Sequence, residues 1–426
     1  MKRVIITIFL LALAAGTLTS CGGGSSSSSS NQTSRIKTRA FVSNSFSGVL
    51  SVIDYSKDLE SLMTITVGTS PEFMTLSADR KLTLVFDAGS NAVTVVNNST
   101  EAATANIGLP NWTESIAISP DAKTAWAAVR NAPVSNAPTG TVEAIDLTNS
   151  ALSTTPLAVP LARHIFLNHA GTAMIALSDA TTPVATPLSI VDVTTPLAPK
   201  VTKTLSAAGN LDRPIWAVFS SDDSKAFVVN CGPECGGTTA SVSVLDMASG
   251  AITNTFAGDG VAGHPFAGSI TMLDSANNLF VAGSPTGYTA GNPAVPAGVL
   301  WVLSTNSGSL SLNKGPITIG DGIHTTMQLA SSNKLFIGAN PCSNVPANSA
   351  SAPPQGCLTI YDTAAGTAVV QPANGFVTGM SPIPGRNVVY VVEGGELKIF
   401  DTTTSAEFKE RFIDVVGHAF DVKAID

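Results

Sequence analysis

The segment "VLSVIDYS", residues 49–56, decides the fold because versions of it return along the chain. It places β-branched apolar residues in an alternating run, ends in Asp54 and leads into turn residues, which is the pattern of a β-strand followed by a turn. Its counterparts are "AVTVVNNS" (92–99), "TVEAIDLT" (141–148), "LSIVDVTT" (188–195), "SVSVLDMAS" (241–249), "VLWVLSTNS" (299–307), "CLTIYDTA" (357–364) and "ELKIFDTT" (396–403). A repeat at this spacing predicts a fold built from similar units.

Further strands flank each copy of this segment. A second apolar strand precedes it, such as "LTLVFDA" (82–88), and a turn such as "SPDAK" (119–123) separates that strand from another one upstream. A fourth strand follows, for example "KVTKTLS" (200–206). Four antiparallel strands per unit, with about 40 to 58 residues between units, are typical of β-propeller blades. We therefore expect an all-β propeller of four-stranded antiparallel blades over residues 38–426.

The two ends of the chain predict how the ring closes. The first copy begins directly at its second strand, Arg39 to Asn44, and the chain ends in the strand-like segment "GHAFDVKAID" (417–426). We expect the last strand, about Ala419 to Ile425, to complete the first blade, since closure leaves no exposed sheet edge. The repeats indicate eight blades. Seven is the alternative, because residues 161–210 and 263–322 depart from the pattern.

Two stretches carry a resemblance to a known repeat. "SPDAKTAW" (119–126) and "KAFVVNCG" (225–232) with the following "VSVLDMASG" (242–250) resemble the YVTN-type propeller repeat. The resemblance implies the propeller fold over almost the whole chain after the N-terminus. Similar propellers include lactonase-like enzymes, but no lactonase catalytic motif can be placed on this sequence residue by residue. Since propellers host many activities, the resemblance predicts a fold more than a function.

The N-terminal sequence indicates where the protein is located. Residues 1–20 combine two basic residues with an apolar run of about a dozen residues, which is typical of a secretory signal peptide. Residues 18–21, "LTSC", resemble the bacterial lipobox, which implies lipidation of Cys21 and, with Gly22 next, favours the outer membrane. The alternative is an ordinary cleaved signal. The Gly/Ser-rich residues 21–37 are predicted to be a flexible tether that holds a lipid-anchored protein in the cell envelope.

Composition excludes several classes of partner. Only 12% of residues are charged and the formal net charge is -8, with no run of Lys or Arg after the N-terminus. Phosphate backbones need a clustered basic surface, so no nucleic acid partner is expected. No phosphate loop or dinucleotide fingerprint occurs, so no nucleotide cofactor is expected. No other cofactor is favoured. The expected partners are the membrane, through the lipid, and a protein or an envelope polymer.

Loop lengths give the leading functional hypothesis. The connection between second and third strands is short in the first, second and last repeats and long in the five between them. These long connections are predicted to leave one face of the ring, and they indicate a binding scaffold, although neutral growth of exposed loops is the alternative. They contain "RNAPVSNAPTG" (130–140), "SDATTPVATP" (178–187), "NCGPECGGTTA" (230–240), "SPTGYTAGNPAVPAG" (284–298) and "NPCSNVPANSASAPPQG" (340–356).

Four cysteines remain after Cys21. An even number in an exported chain predicts disulfides, and the spacing favours the pairs Cys231–Cys235 and Cys342–Cys357. Each bridge would restrict a long loop. The alternative is a metal site built from all four thiolates, which the absence of a Cys-x-x-Cys motif disfavours.

A second functional hypothesis concerns the mouth of the central funnel. Four histidines lie at or near the start of an innermost strand, where imidazoles could ligate a metal or haem, or serve structure alone. Acidic, basic and aromatic residues share this position, a mixture that suits a small polar ligand or a lactonase-like or metal-dependent hydrolase. No metal ligand set or catalytic residue is assigned. The candidate residues are Glu72, Trp112, Glu114, Arg163, His164, Arg213, His264, His324 and His418.

Overall fold

The protein forms an eight-bladed β-propeller. The computed structural model describes residues 33–207, 210–292, 294–306, 308–343, 355–372 and 375–426. Within them, eight antiparallel sheets of at least four strands are the blades, which confirms the all-β fold and eight blades rather than seven. The predicted signal peptide, Cys21 and the tether up to residue 32 lie outside the described residues.

Strands are named A, innermost, to D, outermost. Blade 1 contains Ala419–Ala424, Arg39–Asn44, Val49–Asp54 and Leu59–Thr66; blade 2 contains Pro71–Leu76, Leu82–Asp87, Ala92–Asn97 and Ala102–Gly108. Blade 3 contains Ser115–Ile118, Thr124–Val129, Thr141–Asp146 and Ala151–Leu152, with Leu157–Ala158 also paired to its strand C. Blade 4 contains Ala162–Leu167, Ala173–Ser178, Leu188–Asp192 and Lys200–Leu205.

The second half of the ring follows the same order. Blade 5 contains Pro214–Phe219, Lys225–Asn230, Ser241–Asp246 and Ala251–Phe256, and a short 3-10 helix, Gly232–Cys235, follows its strand B. Blade 6 contains Ile270–Leu273, Asn278–Gly283, Gly298–Ser304 and Ser311–Ile319, with a small hairpin, Thr289–Ala290 and Val295–Pro296, between B and C. Blade 7 contains Ile323–Leu329, Lys334–Cys342, Gln355–Asp362 and Thr367–Val370; blade 8 contains Val377–Pro382, Val388–Glu393, Glu396–Asp401 and Ala406–Glu407.

The C-terminal strand closes the ring, as predicted. Strand A of blade 1 comes from the chain's end and pairs antiparallel with strand B from its beginning, with Ala40 opposite Ala424 and Val42 opposite Val422. Each strand A also contacts strand A of both neighbouring blades, so the innermost strands form a continuous ring. No sheet edge is therefore left open at the junction of the two termini.

Burial between blades explains the repeat that identified the fold. Successive residues of strand B in blade 2 alternate between two cores, so that Val85 packs toward blade 1 and Phe86 toward blade 3. Strands B and C are thus covered on both faces and consist mainly of apolar residues. Strand D forms the outer rim, and in blade 5 the residues of Ala251–Phe256 alternate between exposed and half-buried.

The aspartates that end strand C have a structural role. Asp54 accepts the backbone N–H of Ser56 at 3.0 Å through Oδ1, which stabilises the turn into strand D. Equivalent bonds to residues two or three positions on are made by Asp146, Asp192, Asp246, Asp362 and Asp401.

Strand direction divides the connections between two faces. The A–B and C–D connections lie on one face, here called the turn face, and the B–C and D–A connections lie on the other, here called the loop face. The five B–C connections predicted to be long lie at 130–140, 179–187, 231–240, 284–297 and 343–354, and two D–A connections, 257–269 and 408–418, are also long. No helix in the described residues is long and apolar enough to cross a membrane.

The described N-terminal segment lies against the turn face. Ser34 donates its hydroxyl to Glu101 Oε1 at 2.6 Å, and Glu101 follows strand C of blade 2. Arg39 opens strand B of blade 1 and contacts both Glu101, at 3.1 Å, and the C-terminal Asp426, at 2.7 Å. The chain therefore enters the propeller from the face opposite the long loops.

Candidate functional site

Two disulfides stabilise the loop face. Cys231 pairs with Cys235 within the blade 5 connection, and Cys342 pairs with Cys357 across the ends of strands B and C of blade 7. Both predicted pairings are confirmed. Disulfides are typical of proteins that fold outside the cytoplasm, and each one reduces the entropy that its loop can gain on unfolding.

A charged cluster joins blades 3 and 4 on the loop face and brings two predicted residues together. Arg163 donates through Nε to Glu114 and through a terminal nitrogen to Asp179 Oδ1 at 3.1 Å. Arg130, from the blade 3 loop, lies 3.0 Å from the other oxygen of Asp179. Burial would raise the pKa of the fully buried Asp179 carboxylate, but hydrogen bonds from Thr181 and the two guanidinium groups lower it overall. We call Glu114, Arg130, Arg163 and Asp179 the blade 3–4 cluster.

Two more predicted residues border this cluster. Burial raises the pKa of Glu72, and the negative charge of Glu114 raises it further. Burial and the charge of Arg163 lower the pKa of His164 to about 3, so its imidazole is neutral near pH 7. His164 Nε2 lies 3.9 Å from Glu114 Oε2, too far for a hydrogen bond. The region thus combines an ion-pair network with a carboxyl and an imidazole of shifted pKa.

The other three candidate histidines have separate environments. His264 is partly exposed, with Nδ1 2.7 Å from Asp259 Oδ2. His418 lies 3.2 Å from the Ser45 hydroxyl and stacks on Phe46 with a centroid distance of 4.8 Å.

His324 is buried. Its Nε2 lies 3.1 Å from the carbonyl oxygen of Gly320, and burial lowers its pKa to about 4. Each candidate histidine therefore has its own partners, and in the described ranges no three His, Cys, Asp or Glu side chains form a group that could hold a metal.

The remaining predicted residues are on either side of the blade 3–4 cluster. Trp112 is 41% exposed and lies before strand A of blade 3, and its ring packs edge-to-face with Phe86 at a centroid distance of 6.1 Å. Arg213 lies just before strand A of blade 5 and lines a cleft of about 590 Å³ between blades 4 and 5. Asp179 lines the same cleft, so the cleft and the blade 3–4 cluster are adjacent.

Sequence reasoning missed Glu234, which lies between the two cysteines of the blade 5 loop. The backbone N–H of Ser284, in the blade 6 loop, donates to Glu234 Oε2 at 3.3 Å. Burial raises the pKa of Glu234 to about 7, against the effect of that hydrogen bond. The sequence did contain a signal for this residue, because Glu234 lies between two cysteines four positions apart. Their disulfide restricts where the Glu234 side chain can reach.

Comparison with known proteins supports the fold alone. The sequence matches no protein family and no curated protein. Among solved structures, the chain is similar to hydrazine synthase of Kuenenia stuttgartiensis, with 15% identity, a TM-score of 0.51, and coverage of 85% of this chain and 92% of that one. It is also similar to a functionally unknown protein of Desulfotomaculum acetoxidans, with 11% identity, a TM-score of 0.51, and coverage of 91% and 98%.

A third similar structure is the dihydro-heme d1 dehydrogenase NirN in complex with DHE. The identity is 14%, the TM-score is 0.57, and the alignment covers 87% of this chain and 72% of that one. At such identities a likeness shows the propeller fold and carries no residue roles from one protein to another.

Proposed function

We propose that the protein is a lipid-anchored β-propeller of the cell envelope that binds a protein or an envelope polymer through the long connections of its loop face. The observation that carries this proposal is the concentration of long B–C connections in five consecutive blades, 3 to 7. The B–C connections of the other blades are the short segments 45–48, 88–91 and 394–395.

Contacts between neighbouring connections support a preorganised surface. Glu234 of the blade 5 loop accepts from Ser284 of the blade 6 loop, and the Ser284 hydroxyl donates to the carbonyl of Gly322, before blade 7, at 2.7 Å. Arg213 donates to the carbonyl of Gly236 at 3.3 Å. Hydrogen bonds and disulfides of this kind reduce the ordering cost of binding, which is what a recognition surface requires.

The position of the described N-terminal segment is compatible with an anchor that leaves the loop face accessible. The chain enters blade 1 on the turn face, where Ser34 bonds to Glu101. An anchor that precedes Ser34 would thus join the propeller at the face opposite the long connections.

The anchor and the binding surface have separate tests. Fractionation of cells that express Cys21→Ser should move the protein from the membrane fraction to the soluble one. For binding, the blade 6 connection 284–297 is replaced by the short blade 1 connection, residues 45–48, and retention on immobilised envelope proteins and polymers is compared with that of the unaltered chain.

The binding experiment needs a control on the other face. Lys81→Ala and Lys123→Ala alter exposed turn-face residues and should leave any retained partner and its Kd unchanged. The shortened loop should weaken binding of the same partner at least tenfold while the cooperative unfolding transition is retained. Equal binding by the shortened variant would contradict the proposal.

A second candidate function is hydrolysis at the blade 3–4 cluster, of the lactonase-like or metal-dependent kind. The observation in its favour is the raised pKa of Glu72 next to Glu114, together with the neutral His164, because shifted carboxyls and imidazoles are typical of acid–base sites. Native protein would be analysed for metal and for an absorption spectrum, and assayed on aliphatic and aromatic lactones with and without divalent cations. Activity lost in Glu114→Gln and kept in His169→Ala, a turn-face histidine, would support this function.

A further inference from the structure

The cleft between blades 4 and 5 has the size and lining of a small-molecule site. Its volume, about 590 Å³, falls within the range of ligand pockets. Apolar side chains form much of the lining, among them Val184 and Pro187 from the blade 4 loop and Leu211 and Pro214 before and within strand A of blade 5.

The two carboxylates that line the cleft each accept several hydrogen bonds from the protein. Asp212 Oδ2 accepts the backbone N–H groups of Thr238 and Thr239 at 2.6 and 2.7 Å and the Thr238 hydroxyl at 2.7 Å. Asp179 accepts from two arginines and from the hydroxyls of Thr181 and Thr182. Asp179 is therefore paired through both of its oxygens, whereas Asp212 accepts these three bonds through one oxygen.

The guanidinium of Arg213 differs from these carboxylates. It donates to the carbonyls of Ala180 at 3.2 Å and Gly236 at 3.3 Å. A guanidinium has five N–H donors, so donors remain on the cleft wall, and the charge of Arg213 lowers the pKa of the adjacent Asp212 without a direct hydrogen bond between the two side chains in the described chain.

The backbone at this position does not explain the choice of arginine. Arg213 has a φ of 62°, but Ser70 and Leu161, which also directly precede strand A in their blades, have φ values of 51° and 49°. The left-handed conformation thus recurs at this position in other blades and accepts other residue types. The arginine adds a cation where the repeat does not require one.

We propose that this cleft binds a small organic carboxylate, whose carboxylate pairs with Arg213 and whose apolar body lies against Val184, Pro187 and Leu211. A planar guanidinium recognises a carboxylate through two parallel hydrogen bonds, and the apolar lining favours a ligand with a hydrocarbon or aromatic body. The cleft lies among the blade 4 and blade 5 connections that also form part of the surface proposed above, but its binding of a small carboxylate does not require a macromolecular partner.

Isothermal titration of the full chain with octanoate tests the proposal. Octanoate should bind at one site, at least tenfold more tightly than its neutral isostere octanamide, and butanoate should bind more weakly because it has less apolar surface. Added salt should weaken the binding of octanoate and leave the binding of octanamide unchanged, because salt screens the ion pair with Arg213.

Variants separate the site from general apolar binding. Arg213→Gln should lower octanoate affinity at least tenfold, and Val184→Trp, which fills the cleft, should abolish binding. Arg80→Gln is the matched control, since Arg80 also donates to a backbone carbonyl, that of Ala424 at 3.1 Å, but on the turn face. Three results would each overturn the proposal. They are equal affinities for octanoate and octanamide, an unchanged octanoate affinity in an Arg213→Gln variant with the original thermal midpoint, and no binding at about 10 mM octanoate. Loss of macromolecular binding in the loop-shortened variant would leave these results unchanged.

Discussion

Asp58 of blade 1 and Arg386 of blade 8 form a two-pronged ion pair that joins the first and last blades on the turn face. Arg386 donates one terminal nitrogen to each carboxylate oxygen of Asp58, at 2.5 and 2.9 Å, and the Tyr390 hydroxyl donates to the same carboxylate. Arg411 supplies a second guanidinium. The closure of the ring thus rests on side chains as well as on the pairing of its two terminal strands.

Replacing Asp58 should weaken this junction. The Asp58 carboxylate is only 5% exposed, so Asp58→Asn leaves Arg386 without its counter-charge, and we expect the free energy of unfolding to fall by about 2 to 4 kcal/mol. Burial opposes ionisation of Asp58, but Arg386, Tyr390 and Arg411 lower its pKa overall. The ionised Asp58 therefore stabilises the folded protein above the ordinary pKa of an aspartate, and this stabilisation is lost as the pH falls through the lowered pKa of the folded state.

Urea unfolding at several pH values measures this effect. The difference between the unaltered protein and Asp58→Asn should be largest near pH 7 and should shrink in acid. Asp121→Asn, an aspartate of a turn-face hairpin whose nearest cation is 3.8 Å away, is the control and should change little. A difference that does not depend on pH would contradict the assignment of the effect to charge.

The C-terminal strand should be essential for cooperative folding. Removal of residues 418–426 takes away strand A of blade 1, including the buried Val422 and Ala424, and leaves strand B of that blade unpaired on one side. We expect the truncated chain to lose its cooperative unfolding transition, which circular dichroism on heating would show. A truncated chain with the original thermal midpoint would contradict this.

A circular permutant is the matched control for the truncation. Residues 418–426 are moved in front of Thr38 and joined by a short Gly-rich linker, which is feasible because Asp426 contacts Arg39 at 2.7 Å. The permuted chain contains an A–B turn like those of the other blades. It should regain the cooperative transition, since only the covalent order has changed.

Much of the fold was predictable because it depends on local patterns that the chain repeats. Alternating strands, turn residues and the missing first strand predicted eight blades and their closure, and burial on both sides of strands B and C is the physical reason that the patterns are strong. The pairing of Cys342 with Cys357 was predictable because they flank neighbouring strands of one hairpin.

The candidate site was less predictable because side-chain direction depends on register. The pairing shifts at a bulge near the start of strand A in both blade 4 and blade 7. His164 follows that bulge, whereas His324 precedes it and takes the buried position that Ala162 has in blade 4. Whether a residue precedes or follows the bulge changes the direction of its side chain, and the sequence does not mark where the bulge lies.

Contacts between loops were beyond sequence reasoning for a related reason. Arg130 and Asp179 belong to different blades, and only the conformation of two long connections brings them to 3.0 Å. No periodic pattern specifies such loops, so the sequence did not indicate this ion pair.

The buried His324 should make the protein sensitive to acid. Its pKa is lowered to about 4 in the folded state, chiefly by burial, against an ordinary value of 6.5. As the pH falls through this window, the unfolded chain binds a proton that the folded chain does not, so the free energy of unfolding decreases. In His324→Gln this loss should be smaller, and the difference between the two proteins in urea unfolding should change between about pH 6.5 and pH 4. A constant difference would contradict the prediction.

Glu234 should produce the opposite slope. Its pKa is raised to about 7 by burial from an ordinary value of 4.5. As the pH rises, the unfolded chain releases the proton first, so Glu234 lowers the free energy of unfolding progressively from about pH 4.5 to about pH 7 and by a constant amount above that. Glu234→Gln does not titrate, and we expect it to gain about 2 kcal/mol relative to the unaltered protein between pH 5 and pH 8. His324→Gln is the internal control because its difference changes with pH in the reverse direction. Parallel slopes in the two variants, or none in Glu234→Gln, would show that the Glu234 carboxyl is not held in its neutral form by burial.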